Sequence, residues 1–188
     1  MFKTIIRSCE GREKFAEYLM GKLAPLVPYI IVDDTGNAMN CFRQALDIAK
    51  DSPALHMEDD IILTEGFCEK VKTEIEKHPD QVIQFFSIRK KDLTEGTRLE
   101  SGGKFLMGQC FYLPAGLSMA IKAYLPSWKG IKEHPTGLDS MVMDYLKVTK
   151  RKYIHFVPSL VQHREVKSMI DPRRSSKRQS PTFINPDL

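Results

Sequence analysis

Three consecutive acids, Glu58-Asp59-Asp60, close the apolar run Ala54-Leu55-His56-Met57, and Ile61-Ile62-Leu63 follows at once. Carboxylates set inside buried sequence repel one another and lose their hydration, so they require a positive partner. A divalent cation is the simplest one. Hard oxygen ligands at a strand end suit Mg2+ or Mn2+, ions that commonly hold nucleotide phosphates. The other reading is a solvated acidic turn between two strands. A second acidic pair, Asp33-Asp34, ends the run Tyr29-Ile30-Ile31-Val32. Open α/β sheets bind ligands beyond the carboxyl ends of their strands, so both acidic groups would face one crevice. There Asp33 or Asp34 would accept hydrogen bonds from a ribose or base while Asp59 or Asp60 takes the metal. Alternatively, Asp33-Asp34-Thr35-Gly36 is only a turn.

Neither GxxxxGK[ST] nor GxGxxG occurs, so phosphate charge would have to be met by metal and by basic residues. Arg7, ending the first strand, is placed for that. The cysteines (Cys9, Cys41, Cys68, Cys110) are scattered with no CxxC pair, which argues against a zinc knuckle or a disulfide scaffold. His56 alternates with Glu58 along a strand and is read as packed and hydrogen-bonded. His78, His134 and His155 show no ligand spacing. Trp128 is either a stacking platform or, by the commoner use of a lone Trp, a hydrophobic anchor.

The elements that must position these residues alternate as strands and amphipathic helices, the pattern of an α/β domain. Strands are expected at Phe2–Arg7, Tyr29–Val32 (buried), Ala54–Met57, Val82–Phe86, Gln109–Pro114 and Tyr153–Pro158. Helices are expected at Glu13–Leu23, Ala38–Lys50, Thr64–Lys77, Gly116–Leu125 and from Gly137 to about Lys147. Lys90–Lys104, polar and glycine-containing, is expected to be a long loop. The 188 residues suffice for one domain with a sizeable core. No apolar stretch approaches the roughly 20 residues that span a bilayer. The first residues look like a strand and not a signal peptide, so no membrane insertion and a cytoplasmic location are expected. From Arg164 onward six basic residues stand against three acidic, which leaves the body near neutral and the end basic.

With these residues in view, Ala54 to Ile62 resembles the EDD variant of the DxD motif in GT-A-fold glycosyltransferases, closest to family-25-like enzymes and small phage-encoded relatives. Gly108 to Leu125 resembles their acceptor-side strand and helix. Gly137-Leu138-Asp139-Ser140 resembles the segment that carries an acid near the acceptor, and Pro158-Ser159-Leu160-Val161-Gln162-His163 the closing segment with a histidine. The resemblance spans most of residues 2 to 170. It implies a single GT-A-like (Rossmann-like) nucleotide-diphosphosugar transferase domain, residues 1–170, with a mixed, mostly parallel sheet. It also implies a nucleotide-diphosphate sugar donor, a UDP-sugar above all, with Mn2+ or Mg2+ on its diphosphate. Asp60 and His163 would hold the metal, and Glu58 or Asp59 would contact ribose or metal-bound water. An inverting enzyme also needs a carboxylate to take the acceptor's proton. Asp139 is the candidate, with Asp144 a weaker one; the alternative for Asp139 is a helix N-cap. His163 has its own alternative, a tail-facing histidine with no metal.

The segment 171–188 is expected to be an irregular basic tail. Arg173, Arg174, Lys177 and Arg178 suit phosphate contacts with salt-sensitive affinity, or form a solvated end. A phage relative would act in the host cytoplasm, and a hydroxymethylated base in DNA is then one concrete acceptor, with a surface glycan its main competitor. A metal-dependent nuclease and a non-catalytic nucleic-acid-binding module are the readings from other classes.

Overall fold

The computed structural model of the chain describes residues 1–130, 137–169 and 177–185. In chain order the elements are β1 (Lys3–Cys9), α1 (Glu13–Lys22), β2 (Tyr29–Asp33), α2 (Ala38–Ala49), β3 (Ala54–Glu58), β4 (Ile61–Leu63), α3 (Phe67–Lys77), β5 (Val82–Gln84), β6 (Arg98–Ser101), β7 (Cys110–Leu113), α4 (Leu117–Tyr124), α5 (Leu138–Val148), β8 (Lys152–His155) and β9 (Val161–His163). Seven strands form one sheet in the order β2-β1-β3-β7-β5-β8-β6. β1 runs parallel to β2 and β3, and β5 parallel to β8. β7 opposes both its neighbours and β6 opposes β8. Five strands therefore share a direction and two oppose it, the mixed, mostly parallel sheet of a single Rossmann-like α/β domain. No helix among the described residues is long and apolar enough to cross a membrane.

Strand alternation sorts the side chains into two cores, one on each face of the sheet. Ile5 and Phe111 pack with Phe42 and Leu46 of α2 and Val142 of α5. Their sequence neighbours Ile6 and Cys110 face the other way, onto Leu19 of α1 and Val71 of α3. α2 starts sharply because the Asn37 side chain accepts from the backbone N–H groups of Met39 and Asn40, satisfying donors that a helix start leaves open.

Three expectations change. The run Tyr29–Val32 is not buried: β2 is an edge strand, with Tyr29 50% and Val32 53% exposed. Its apolar composition therefore marks a partly bare edge. The segment 90–104 is not a plain loop, because it contains β6 and two short 3-10 turns. No apolar alternation announces β6. Its order comes from charge instead, since Glu100 is paired with Lys91, Arg98 and Lys104. Finally, β4 and β9 pair as a separate antiparallel ribbon, which three-residue strands are too short to signal by periodicity.

Gly102 follows β6 where the chain presses against α5. A Cβ there would lie 2.5 Å from Leu146 Cβ and 2.6 Å from the Arg151 carbonyl oxygen. Gly102→Ala should cost about 1–3 kcal/mol of stability through overpacking, measured as a lower urea midpoint with an unchanged slope.

Candidate functional site

The site is built where β1 and β3 end side by side. Their register sets Arg7 opposite Glu58. The Arg7 guanidinium lies against two rings, 5.4 Å from the centroid of Phe42 and 5.6 Å from that of Phe111. Its Nη2 donates to the Gly108 carbonyl at 2.6 Å, and Glu58 Oε1 lies 3.8 Å away. Arg7 is only 6% exposed, and its Nη1 has no hydrogen-bond partner among the described residues. His56 stacks on Phe111 with ring centroids 5.2 Å apart. Burial, helped by Arg7, holds its pKa well below the usual range, so it is a neutral packing group. The hydrogen-bonding half of the expectation is not met, because neither ring nitrogen has a partner among the described residues.

After Glu58 the chain bends at Asp59-Asp60 and enters β4, whose pairing with β9 sets Ile61 opposite His163. Ser8 Oγ donates to Asp59 Oδ2 at 2.7 Å. Arg12 reaches in from the start of α1, just after the left-handed Gly11 (φ 82°), a conformation glycine adopts without strain. Its Nη1 donates to Asp59 Oδ1 at 3.0 Å and Asp60 Oδ2 at 2.7 Å, and its Nη2 to the Lys167 carbonyl at 3.0 Å. His163 Nε2 stands 3.3 Å from Asp60 Oδ2 and 2.5 Å from Arg178 Nη2. One ring nitrogen cannot donate to the first and accept from the second at once, so the tautomer selects the partner.

These neighbours separate the acids. Burial would raise the Asp60 pKa, but His163 and Arg12 outweigh it and hold the carboxyl down at about 2. Burial moves Asp59 the other way, upward, against the pull of Ser8 and Arg12. Glu58 is lifted to about 7, by burial first and then by the charge of Asp60, with Arg7 opposing.

Arg7, Glu58, Asp60, Asp139 and Arg178 all line one open cleft. Asp33 lines it too, but its oxygens accept from Thr35 N and Oγ1 and from Asn37 N, as a turn-forming aspartate does. Asp34 is exposed. Asp139 stands in the first turn of α5, whose N-cap position is taken by Gly137. Asp144 accepts from Trp128 Nε1 at 2.9 Å, fixing the Trp as a core anchor. Lys177 is exposed, while Arg173, Arg174 and His134 lie outside the described residues. Sequence reasoning missed Ser8, Arg12 and Gly108. Ser8 follows Arg7 on β1 and carries a strand-end signal, whereas Arg12 stands at the start of α1 and carries none.

The expected divalent cation can be tested against this donor set. Both Asp59 oxygens and Asp60 Oδ2 already accept from Ser8, Arg12 or His163. Among the described residues, Asp60 Oδ1 is the one buried oxygen of the triplet left without a partner. Among the described residues no three His, Cys, Asp or Glu side chains converge as a metal site. The arrangement does not fit a divalent ion unless Arg12 leaves.

Gly108 also sets the geometry. A Cβ there would lie 2.3 Å from Leu138 Cδ2 and 2.5 Å from Asp139 Oδ1. Gly108→Ala should therefore displace Asp139 and Leu138 at the start of α5 and cost about 1–3 kcal/mol through overpacking, measured as a lower urea midpoint. Glu58 gives a pH signature. Because its folded pKa (about 7) exceeds its usual 4.5, the folded chain holds the extra proton between these values. Its contribution to stability is full below the lower value and is lost as pH rises through the higher. Urea unfolding at pH 5 and pH 8 should show a fall in stability that Glu58→Gln abolishes.

No family model and no curated protein matches the chain. Solved structures do. A protein described as a glucose-1-phosphate thymidylyltransferase from Bacillus anthracis, in complex with a sucrose, aligns with a TM-score of 0.51 and 10% identity, over 87% of this chain and 89% of that one. A197 from STIV aligns with a TM-score of 0.50 and 12% identity, over 98% and 97%. At such identities these likenesses carry the fold alone: the chain shares the α/β architecture of these two proteins.

Proposed function

We propose that the chain is a glycosyltransferase that takes a sugar from a nucleotide-diphosphate donor and passes it to a hydroxyl acceptor. One observation carries this reading: Arg7, whose buried Nη1 has no partner among the described residues, lines the same cleft as two carboxyl groups, Glu58 and Asp139. Such a cleft has a side for an anionic leaving group and a side for proton transfer. The diphosphate lies on Arg7 and Arg178, and charge-assisted bonds strengthen as negative charge gathers on the leaving oxygen. Asp139 takes the proton of the acceptor hydroxyl. The acceptor oxygen bonds to the anomeric carbon, and the bond from that carbon to the diphosphate breaks with its electron pair on the phosphate oxygen. Glu58, half-buried beside these groups, has its pKa lifted to about 7 and holds a proton over part of the neutral range. The fold shared with a protein described as a sugar-phosphate nucleotidyltransferase supports a nucleotide-sugar ligand in this cleft. The acceptor belongs to the hydroxyl class; a hydroxymethylated DNA base is the case that the basic segment 173–178 suggests.

Thermal stability against a panel of nucleotides and nucleotide sugars tests this first, because a ligand bound only to the folded state raises the midpoint by mass action. One nucleoside diphosphate sugar should raise it and be consumed to its nucleoside diphosphate. Asp139→Asn should keep the shift and lose roughly 10²–10⁴-fold in turnover. No shift with any donor, or release of pyrophosphate from a nucleoside triphosphate and a sugar phosphate, would replace this reading with another.

A further inference from the structure

We propose that Arg12 is the resident cation of this site, so that the chain engages a diphosphate without a divalent metal. The inference rests on the donor reading above and goes beyond it, because the acidic triplet by itself had called for Mg2+ or Mn2+.

Three observations support it. The first is position. The Arg12 guanidinium bridges Asp59 and Asp60 at 3.0 and 2.7 Å, in the place a metal would need. A metal ion bound to Asp60 would stand next to a fixed positive charge in a poorly screened setting, and the two would repel. The second is that Arg12 is held from behind by the Lys167 carbonyl. Leaving would strip both Asp59 and Asp60 of their cation while they are 3% and 4% exposed. Removing one partner from such a buried cluster is strongly destabilising.

The third observation is what the cleft lacks. Among the described residues around it, Arg7 Nη1 and Arg178 Nε are buried donors without an acceptor, whereas Asp60 Oδ1 is the one buried acceptor of the triplet without a donor. A metal ion would satisfy that oxygen and neither arginine. A diphosphate in the cleft would bring acceptors to both arginines, and a buried donor that gains a partner recovers its desolvation penalty. Guanidinium groups suit phosphate oxygens because several N–H donors are held in a rigid fork.

The test uses the full chain stripped with EDTA, with inorganic pyrophosphate and MnCl2 as probes. Pyrophosphate binding is followed by calorimetry in EDTA and in MnCl2, and Mn2+ uptake alone by loss of the free-ion electron paramagnetic resonance signal. Wild type should bind pyrophosphate in EDTA and take up no Mn2+. Arg12→Gln should weaken pyrophosphate in EDTA by about tenfold or more and take up Mn2+, because its acids have lost their cation. Arg178→Gln leaves the Arg12 cluster intact, so it should weaken pyrophosphate without gaining Mn2+ uptake. If Arg12→Gln does not fold, the wild-type and Arg178→Gln arms still decide. Wild-type Mn2+ uptake with pyrophosphate binding that requires it would overturn this inference and leave the donor reading standing. Pyrophosphate binding in neither buffer would overturn both.

Discussion

Asp59 and Asp60 are adjacent, almost fully buried, and share one guanidinium. Two carboxylates in that setting destabilise any fold that leaves them unpaired, since desolvation and mutual repulsion act together. Arg12 resolves both, and the geometry of the whole crevice follows from the contact. It ties the start of α1 to the bend after β3. Through the Lys167 carbonyl it also holds the segment that leaves β9. That segment is secured from outside by Arg164, whose guanidinium lies over Phe15 and Tyr18 of α1, 5.0 and 4.7 Å from the ring centroids.

Strand alternation then gives neighbouring residues different environments. Arg7 faces the aromatic core of α2 and β7, while Ser8 faces α1 and takes Asp59. Glu58 and Asp60 are two residues apart, yet one is lifted to about 7 and the other held at about 2. The difference lies in their partners. Arg7 stands 3.8 Å from Glu58, and its bonded Nη2 is directed to Gly108, whereas Asp60 has His163 at 3.3 Å and a direct bond from Arg12. Acids whose environments push them apart in this way can divide the work of proton transfer and fixed charge.

Much of this was legible in the sequence. Alternating apolar runs and helical spacing located the helices and most of the sheet strands, because each of those elements buries a continuous face. The acidic triplet drew attention to its own strand end, since charge at the end of a buried run always needs an explanation, and its three residues line the cleft. What was not legible depends on pairing between distant segments. β6 is ordered by ion pairs, β4 and β9 by each other, and none of the three carries a period long enough to detect. The partner of the triplet was hidden for the same reason. Arg12 is 47 residues from Asp59 in sequence, and an arginine beginning an ordinary amphipathic helix looks like a solvated residue until the fold places it. Composition asked for a positive charge but could not say whether solution or the chain supplies it.

The end of the chain shows how far that principle extends. Residues 177–185 have no regular secondary structure, yet they are docked. Ser180 N donates to Gln162 Oε1, Ser180 Oγ to Ser159 Oγ, Ser159 N to Thr182 Oγ1, and Gln179 Nε2 to the His163 carbonyl. Those bonds set the position of Arg178, which enters the cleft beside His163. A cationic run that composition describes as one feature is therefore divided by its surroundings: Arg178 turns inward to the crevice while Lys177 stays exposed. A fixed arginine differs from a recruited ion in a way that matters for binding. It is present at every metal concentration and loses no translational freedom when ligand arrives, but it must be held by its own network of bonds. Arg12 has such a network from Asp59, Asp60 and Lys167. Arg178 borrows one from β9, so the short ribbon that periodicity could not reveal orders both the histidine and the second arginine of the cleft.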